Sequence, residues 1–165
     1  MDAPLPDEHR SGSYDARQVR HGKYLVEILT CGSCHTDGAL IGEPDSSRQL
    51  AGSDIGIAWS NPLENKFPGV IYPSNLTSDM ATGIGSWSDD EVLEMIRYGI
   101  DRHGRQQLSV MPWPAYTKLT DEDAQSIVAY LRSLAAIQHR VPDNVEPGTK
   151  AKAPYVHFGV YRSRK

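Results

Sequence analysis

Thr30–Asp37 reads TCGSCHTD, and it holds both cysteines of the 165-residue chain, three positions apart with His35 directly after the second. Four chemistries use such a spacing. A redox pair of the thioredoxin kind needs C-x-x-C beside a βαβ unit, and no βαβ pattern is present. A zinc site asks for four good ligands, and no second ligand pair accompanies this one. A structural disulfide across two residues closes too small a loop to stabilise much. The fourth chemistry is covalent haem attachment. There the two thiols add to the vinyl groups along one porphyrin edge, and the adjacent imidazole reaches the iron. The motif therefore predicts one haem c, bound through Cys31 and Cys34, with His35 on the metal.

Working outward, DARQVRHGKYLVEIL (Asp15–Leu29) predicts a helix with Val19, Val26 and Leu29 along one face. Gly22 interrupts it at roughly 1 kcal/mol relative to alanine, either for close approach of another helix or as wobble near the helix start. From Thr36 to Ser86 no helical period survives, and Pro44, Pro62, Pro68 and Pro73 break what could form. So long a connection in a compact domain needs something large to wrap. WSDDEVLEMIRYG predicts a second helix, with Ser88 and Glu91 as capping box, Trp87 and Val92 as staple and Gly99 as stop. IDRHGRQQLSVMPWPAYTKL reads as a loop held extended by Pro112 and Pro114. A third helix follows, capped by Thr120 and Asp123, with Ala124, Ile127, Val128, Leu131, Leu134 and Ala135 on one face. In the tail, Tyr155, Val156, Phe158, Val160 and Tyr161 are expected to pair as a short strand or lie across a surface. The expected division is an N-terminal arm (1–14), a haem domain (15–140) and an extended C-terminal tail (141–165).

The sixth position of the iron decides what such a haem does. An electron carrier keeps it filled, and methionine raises the potential by favouring ferrous iron. Met95 falls mid-helix with Val92 and Ile96, where core packing suits it. Met80 lies in the glycine-rich SDMATGIG with nothing to fix it. Met111 precedes Pro112 between two helices, and proline pins a ligand-bearing loop, so Met111 is the expected axial ligand. Met80 and, for a bis-histidine site, His103 stay open as alternatives. Tyr72, Asn75, Trp87 and Trp113 are candidates to pack on the porphyrin or bond its propionates, with plain core packing as the competing role. His35 is expected to donate its other ring N–H to a carbonyl.

GKYLVEILTCGSCHT, YPSNLTSD, TGIGSWSDDEV, MPWPAY and LTDEDAQSIVAYLRSL together resemble the monohaem cytochrome c domains that serve periplasmic alcohol, gluconate and nicotinate-type dehydrogenases. The resemblance runs from about Val19 to Ala136. It implies a mostly α, class I cytochrome c fold, with N- and C-terminal helices crossing over a loop-wrapped haem. It also supports Met111, because MPW matches that family's ligand loop. Many such dehydrogenase subunits carry three haem motifs, whereas this chain carries one. The insert at about 53–70 and the tail from Val141 do not match the pattern closely enough to name the partner.

These readings predict one-electron transfer at a His/Met haem, with no catalytic acid, base or nucleophile. The alternative is a haem enzyme or gas-binding sensor with a labile sixth ligand. Partners implied by the resemblance are a molybdenum, flavin or quinoprotein dehydrogenase and a downstream acceptor, both in the periplasm. The tail is expected to lie against either the body or a partner subunit; in the docking role, its removal weakens partner binding and leaves the haem spectrum intact. The opening MDAPLPDEHR lacks the basic and apolar regions of an export signal, which is therefore expected to have been removed. No run is long and apolar enough to span a bilayer. The net charge of −4 divides into −7 through Arg140 and +3 from Val141, an acidic body with a basic tail that argues against nucleic acid as a partner.

Overall fold

The computed structural model describes residues 14–158 except 62, 64 and 65. Five helices carry the fold: α1 (Ala16–Ile28), α2 (Gly32–His35), α3 (Asp89–Tyr98), α4 (Trp113–Tyr116) and α5 (Asp121–Ser133). Three short strands, β1 (Gly56–Ala58), β2 (Val70–Ile71) and β3 (Tyr155–His157), form a small sheet in the order β2-β1-β3. β1 runs antiparallel to β2 and parallel to β3.

Helix ends follow local chemistry. Asp15 caps α1 by accepting from the Arg17 N–H, and Thr120 caps α5 by accepting from the Asp123 N–H. Ser88 and Glu91 form the complete capping box of α3, which Gly99 ends at φ +65°. α1 and α5 cross where Gly22 faces Ser126, and a Cβ on Gly22 would lie 1.8 Å from the Ser126 carbonyl oxygen. The glycine thus serves close approach rather than wobble. Around this crossing Leu25 and Val26 of α1, Val92 and Ile96 of α3, and Ile127, Val128, Tyr130 and Leu131 of α5 close one core with Leu50 and Ile84. Trp87 packs against the same cluster, as a staple residue should. α5 ends one residue before Leu134, leaving Ala135 exposed rather than on the buried face.

One expectation is corrected and two are filled in. The segment after Met111 is not simply extended: Trp113–Tyr116 makes one helical turn, which Pro114 tolerates because the first N–H groups of a helix have no internal partner. The long 36–86 connection holds β1 and β2 as well as two short 3-10 turns. The tail is not a detachable appendage either. Asn144 Oδ1 accepts from the Tyr72 N–H at 2.9 Å, Val145 bridges Val70, and β3 lies along β1. Val141 packs against Gly52, where a Cβ would meet its side chain at 2.5 Å. Removing everything after Val141 would take strand partners from the body itself. The arm residues 1–13, and Val160 and Tyr161 of the tail, lie outside the described residues.

Candidate haem-binding site

The C-x-x-C-H segment is aimed by the way α1 stops. The N–H of Thr30 donates to Glu27 and that of Cys31 to Val26, a pair of bonds that wraps the helix end. Thr30 takes φ +57° in the position that usually falls to glycine. α2 then starts at once and carries Cys34 and His35 on a single turn. Both thiols are unpaired and half-buried. Burial pushes Cys31 up to about 11, with its own backbone N–H pulling back and the Cys34 charge adding to the rise. That is the opposite of the activated, acidic thiol of a redox pair. Among the described residues no group of three or more His, Cys, Asp or Glu is placed to hold a metal ion, which also leaves the zinc reading without a ligand set.

His35 is held on every side. Its Nδ1 lies 2.7 Å from the Ser74 carbonyl oxygen, so Nδ1 carries the proton and Nε2 keeps its lone pair. Burial holds the imidazole below its ordinary value, partly opposed by the Ser74 carbonyl, so the ring is neutral near pH 7. The His35 carbonyl accepts from Gly52 at 2.9 Å. Thr36 Oγ1 accepts from the Leu50 N–H, while Asp37 accepts from the Asp54 N–H, Ser53 and Arg48. The loop 46–54 is thereby tied to the residues that follow the ligand. A neutral imidazole whose Nδ1 is held by a carbonyl, one residue after the second of two free cysteines, is the donor set that covalent haem requires.

α4 brings Tyr116 to the same place. Tyr116 packs against the core cluster that Cys31 also joins. Its phenol is pushed up to about 12 by burial and then by the charges of Cys31 and Cys34. Nothing in the sequence singled out Tyr116, whose proximity to the thiols is a product of the α4 turn. Met111 is half-buried, two residues before α4, and its carbonyl accepts from the Trp113 N–H at 2.8 Å. Met80 is 68% exposed. His103 is exposed on the loop closed by Asp101.

The four flanking candidates separate. Trp113 lays its ring on Gly99 and donates its indole N–H to the Gln107 carbonyl at 3.2 Å. Trp87 is half-buried under the Arg102 guanidinium, 5.6 Å from its ring. Tyr72 is buried and gives its hydroxyl to the Ala153 carbonyl at 3.0 Å. Asn75 is 2% exposed; its amide donates to Thr82 and the Ile137 carbonyl, and its oxygen accepts from Thr77 twice. The structure gives Tyr72 and Asn75 bonds to the chain at Ala153 and Ile137, the structural role that stood beside haem packing and propionate bonding for both.

A C-x-x-C-H turn between crossing N- and C-terminal helices, with a carbonyl-anchored histidine, defines a cytochrome c domain. Residues 17–131 match the family described as cytochrome c oxidase, cbb3-type, subunit III, and the chain belongs to that family of cytochrome c domains. It is similar to the fructose dehydrogenase cytochrome subunit of Gluconobacter japonicus, 31% identical over 91% of this chain and 27% of that protein. It is also similar to the gluconate 2-dehydrogenase cytochrome c subunit of Pantoea cypripedii (33% identity, 68% of this chain, 22% of that protein). The cytochrome c subunit of the quinone alcohol dehydrogenase of Gluconobacter oxydans is 29% identical over 78% of this chain and 24% of its own length. The chain spans about a quarter of the length of these relatives. Among the described residues no helix is long and apolar enough to cross a membrane.

Proposed function

We propose that this chain is a one-electron carrier of the periplasm, taking electrons from a dehydrogenase and passing them to a downstream acceptor. The observation that carries the reading is the His35–Ser74 bond, which leaves Nε2 as the lone-pair nitrogen of the C-x-x-C-H motif. Haem c, attached through Cys31 and Cys34, supplies an iron that cycles between ferric and ferrous states. His35 and Met111 fill its two axial positions, so no ligand has to be exchanged during transfer. Trp87, Trp113 and Tyr116 wall the crevice and exclude water. Tyr72 and Asn75 act from behind, fixing the strand that delivers Ser74. Residues 15–140 carry the redox centre, and 141–165 extend it. The roles assigned to these residues include no acid, base or nucleophile, so the chain serves a dehydrogenase of the molybdenum, flavin or quinoprotein type rather than acting on its substrate.

A redox titration with optical spectra tests the reading. The pigment should resist acidified acetone, and the oxidised protein should show the near-infrared sulfur-to-iron band. An extractable pigment ends the covalent assignment. Ready binding of carbon monoxide to the reduced native protein would replace the carrier with a gas-binding or catalytic haem.

A further inference from the structure

The small sheet joins two segments far apart in sequence, the 53–70 insert and the C-terminal tail. β1 and β2 come from the insert and its border, β3 from the tail. Alternation along the strands gives the sheet two distinct faces. Gly56, Ala58, Val70 and Tyr72 are all buried and face the body. The other face carries Ile57, Ile71 and Val156, all half-buried, and continues into Trp59 and Phe158. Trp59 donates its N–H to the Gly69 carbonyl and lays its ring where a Gly69 side chain would stand, which agrees with that face. Trp59 is 37% and Phe158 73% exposed. A sheet with one face on a core ordinarily turns polar residues to water. Here the outer face is apolar, while Tyr155 and His157 share the inner face with Gly56 and Ala58.

Cations flank this face along the chain. Exposed Lys66 precedes β2, and exposed Lys150 and Lys152 precede β3. Arg162, Arg164 and Lys165 follow β3 in sequence, on a chain whose remainder is acidic. β2 leads within three residues to Ser74, the anchor of His35. We propose that this outer face, Ile57, Trp59, Ile71, Val156 and Phe158, is the docking surface for the redox partner. The occupant it fits is a protein presenting an apolar patch ringed by carboxylates. Apolar contact supplies affinity at the centre, and the cations of Lys66 and the tail, which outnumber Asp143 and Glu146, set orientation and on-rate. The proposal rests on the electron-carrier reading and adds to it the place where the partner sits.

The test uses the full-length, haem-loaded chain and the dehydrogenase that reduces it, purified from the same cells by dye-linked activity. Substrate-driven haem reduction is followed against cytochrome concentration. Phe158→Asp with Trp59→Ser should raise KM about tenfold, as loss of an apolar hot spot does, with kcat, optical spectrum and midpoint unchanged. Lys150→Glu with Lys152→Glu should slow reduction at low salt and flatten its salt dependence. Tyr24 and Ile28, 56% and 54% exposed on α1, provide the control pair for substitution by serine. Unchanged KM in the sheet variants, or a rise only in the α1 pair, overturns the proposal. So does a wild type that sediments as a dimer and becomes a monomer on Phe158→Asp, since a second copy would then own the face. If no dehydrogenase reduces the wild type, carrier and docking face fall together; if wild type and sheet variants are reduced alike, the face falls alone.

Discussion

Gly22 and Ser126 meet backbone to backbone: a methyl group on Gly22 would stand 1.8 Å from the Ser126 carbonyl oxygen and 2.9 Å from the Tyr130 Cβ. Alanine favours a helix by about 1 kcal/mol over glycine, but here α1 and α5 must part to admit it. Overpacking of this kind costs about 1–3 kcal/mol or more. Gly22→Ala should therefore destabilise the haem-loaded protein despite its better propensity. Urea unfolding followed by haem absorbance decides it, and an unshifted midpoint would show that the crossing is looser than the geometry says.

Met111→His should lower the redox midpoint, by a sizeable part of the roughly 0.8 V that axial ligation spans. The sulfur-to-iron band should vanish with it. Met80→Ala, at an exposed position, should change neither quantity. The reverse pattern would move the ligand to the 77–85 segment.

Asn75 joins three segments through one buried side chain, binding Thr77, Thr82 and the Ile137 carbonyl. Asn75→Ala leaves the Ile137 carbonyl and the Thr77 N–H without that partner. The expected loss is about 2–4 kcal/mol, since each buried group left unsatisfied costs on the order of 1–3 kcal/mol. Hydrogen exchange should show residues 137–145 opening first; a stability within error of wild type would refute the role.

Asp101 anchors the loop that leads to Met111. Burial pushes its carboxyl up, but the Arg105 N–H and guanidinium and the His103 N–H outweigh it and hold the group below the ordinary 3.8. A depressed carboxyl contributes stability above its unfolded value, and that contribution disappears as pH falls through the folded one. Asp101→Asn should thus be less stable than wild type at pH 7, and the gap should narrow once the pH drops below about 3.8. Acid titration of the two proteins, read by denaturant midpoints, checks the sign. A gap that widens in acid contradicts it.

α1, α3 and α5 were legible because their signals are local. Caps at Asp15, Ser88 and Thr120, the stop at Gly99 and the apolar stripes of α1 and α5 all lie within a few residues of what they control. The haem motif was legible for the same reason. The sheet was not, because three-residue strands carry no usable period and Ile57 finds Val156 about a hundred positions away. The bonds of Tyr72 and Asn75 escaped notice on that account: their partners Ala153 and Ile137 are distant in sequence. Ser74, the carbonyl that anchors His35, gave no signal either, since any residue has one.

β1 is the middle strand, so the insert and the tail each supply the other's neighbour. Neither can be trimmed by itself without stranding a row of backbone groups. A minimal redox module cut from this chain should therefore retain both.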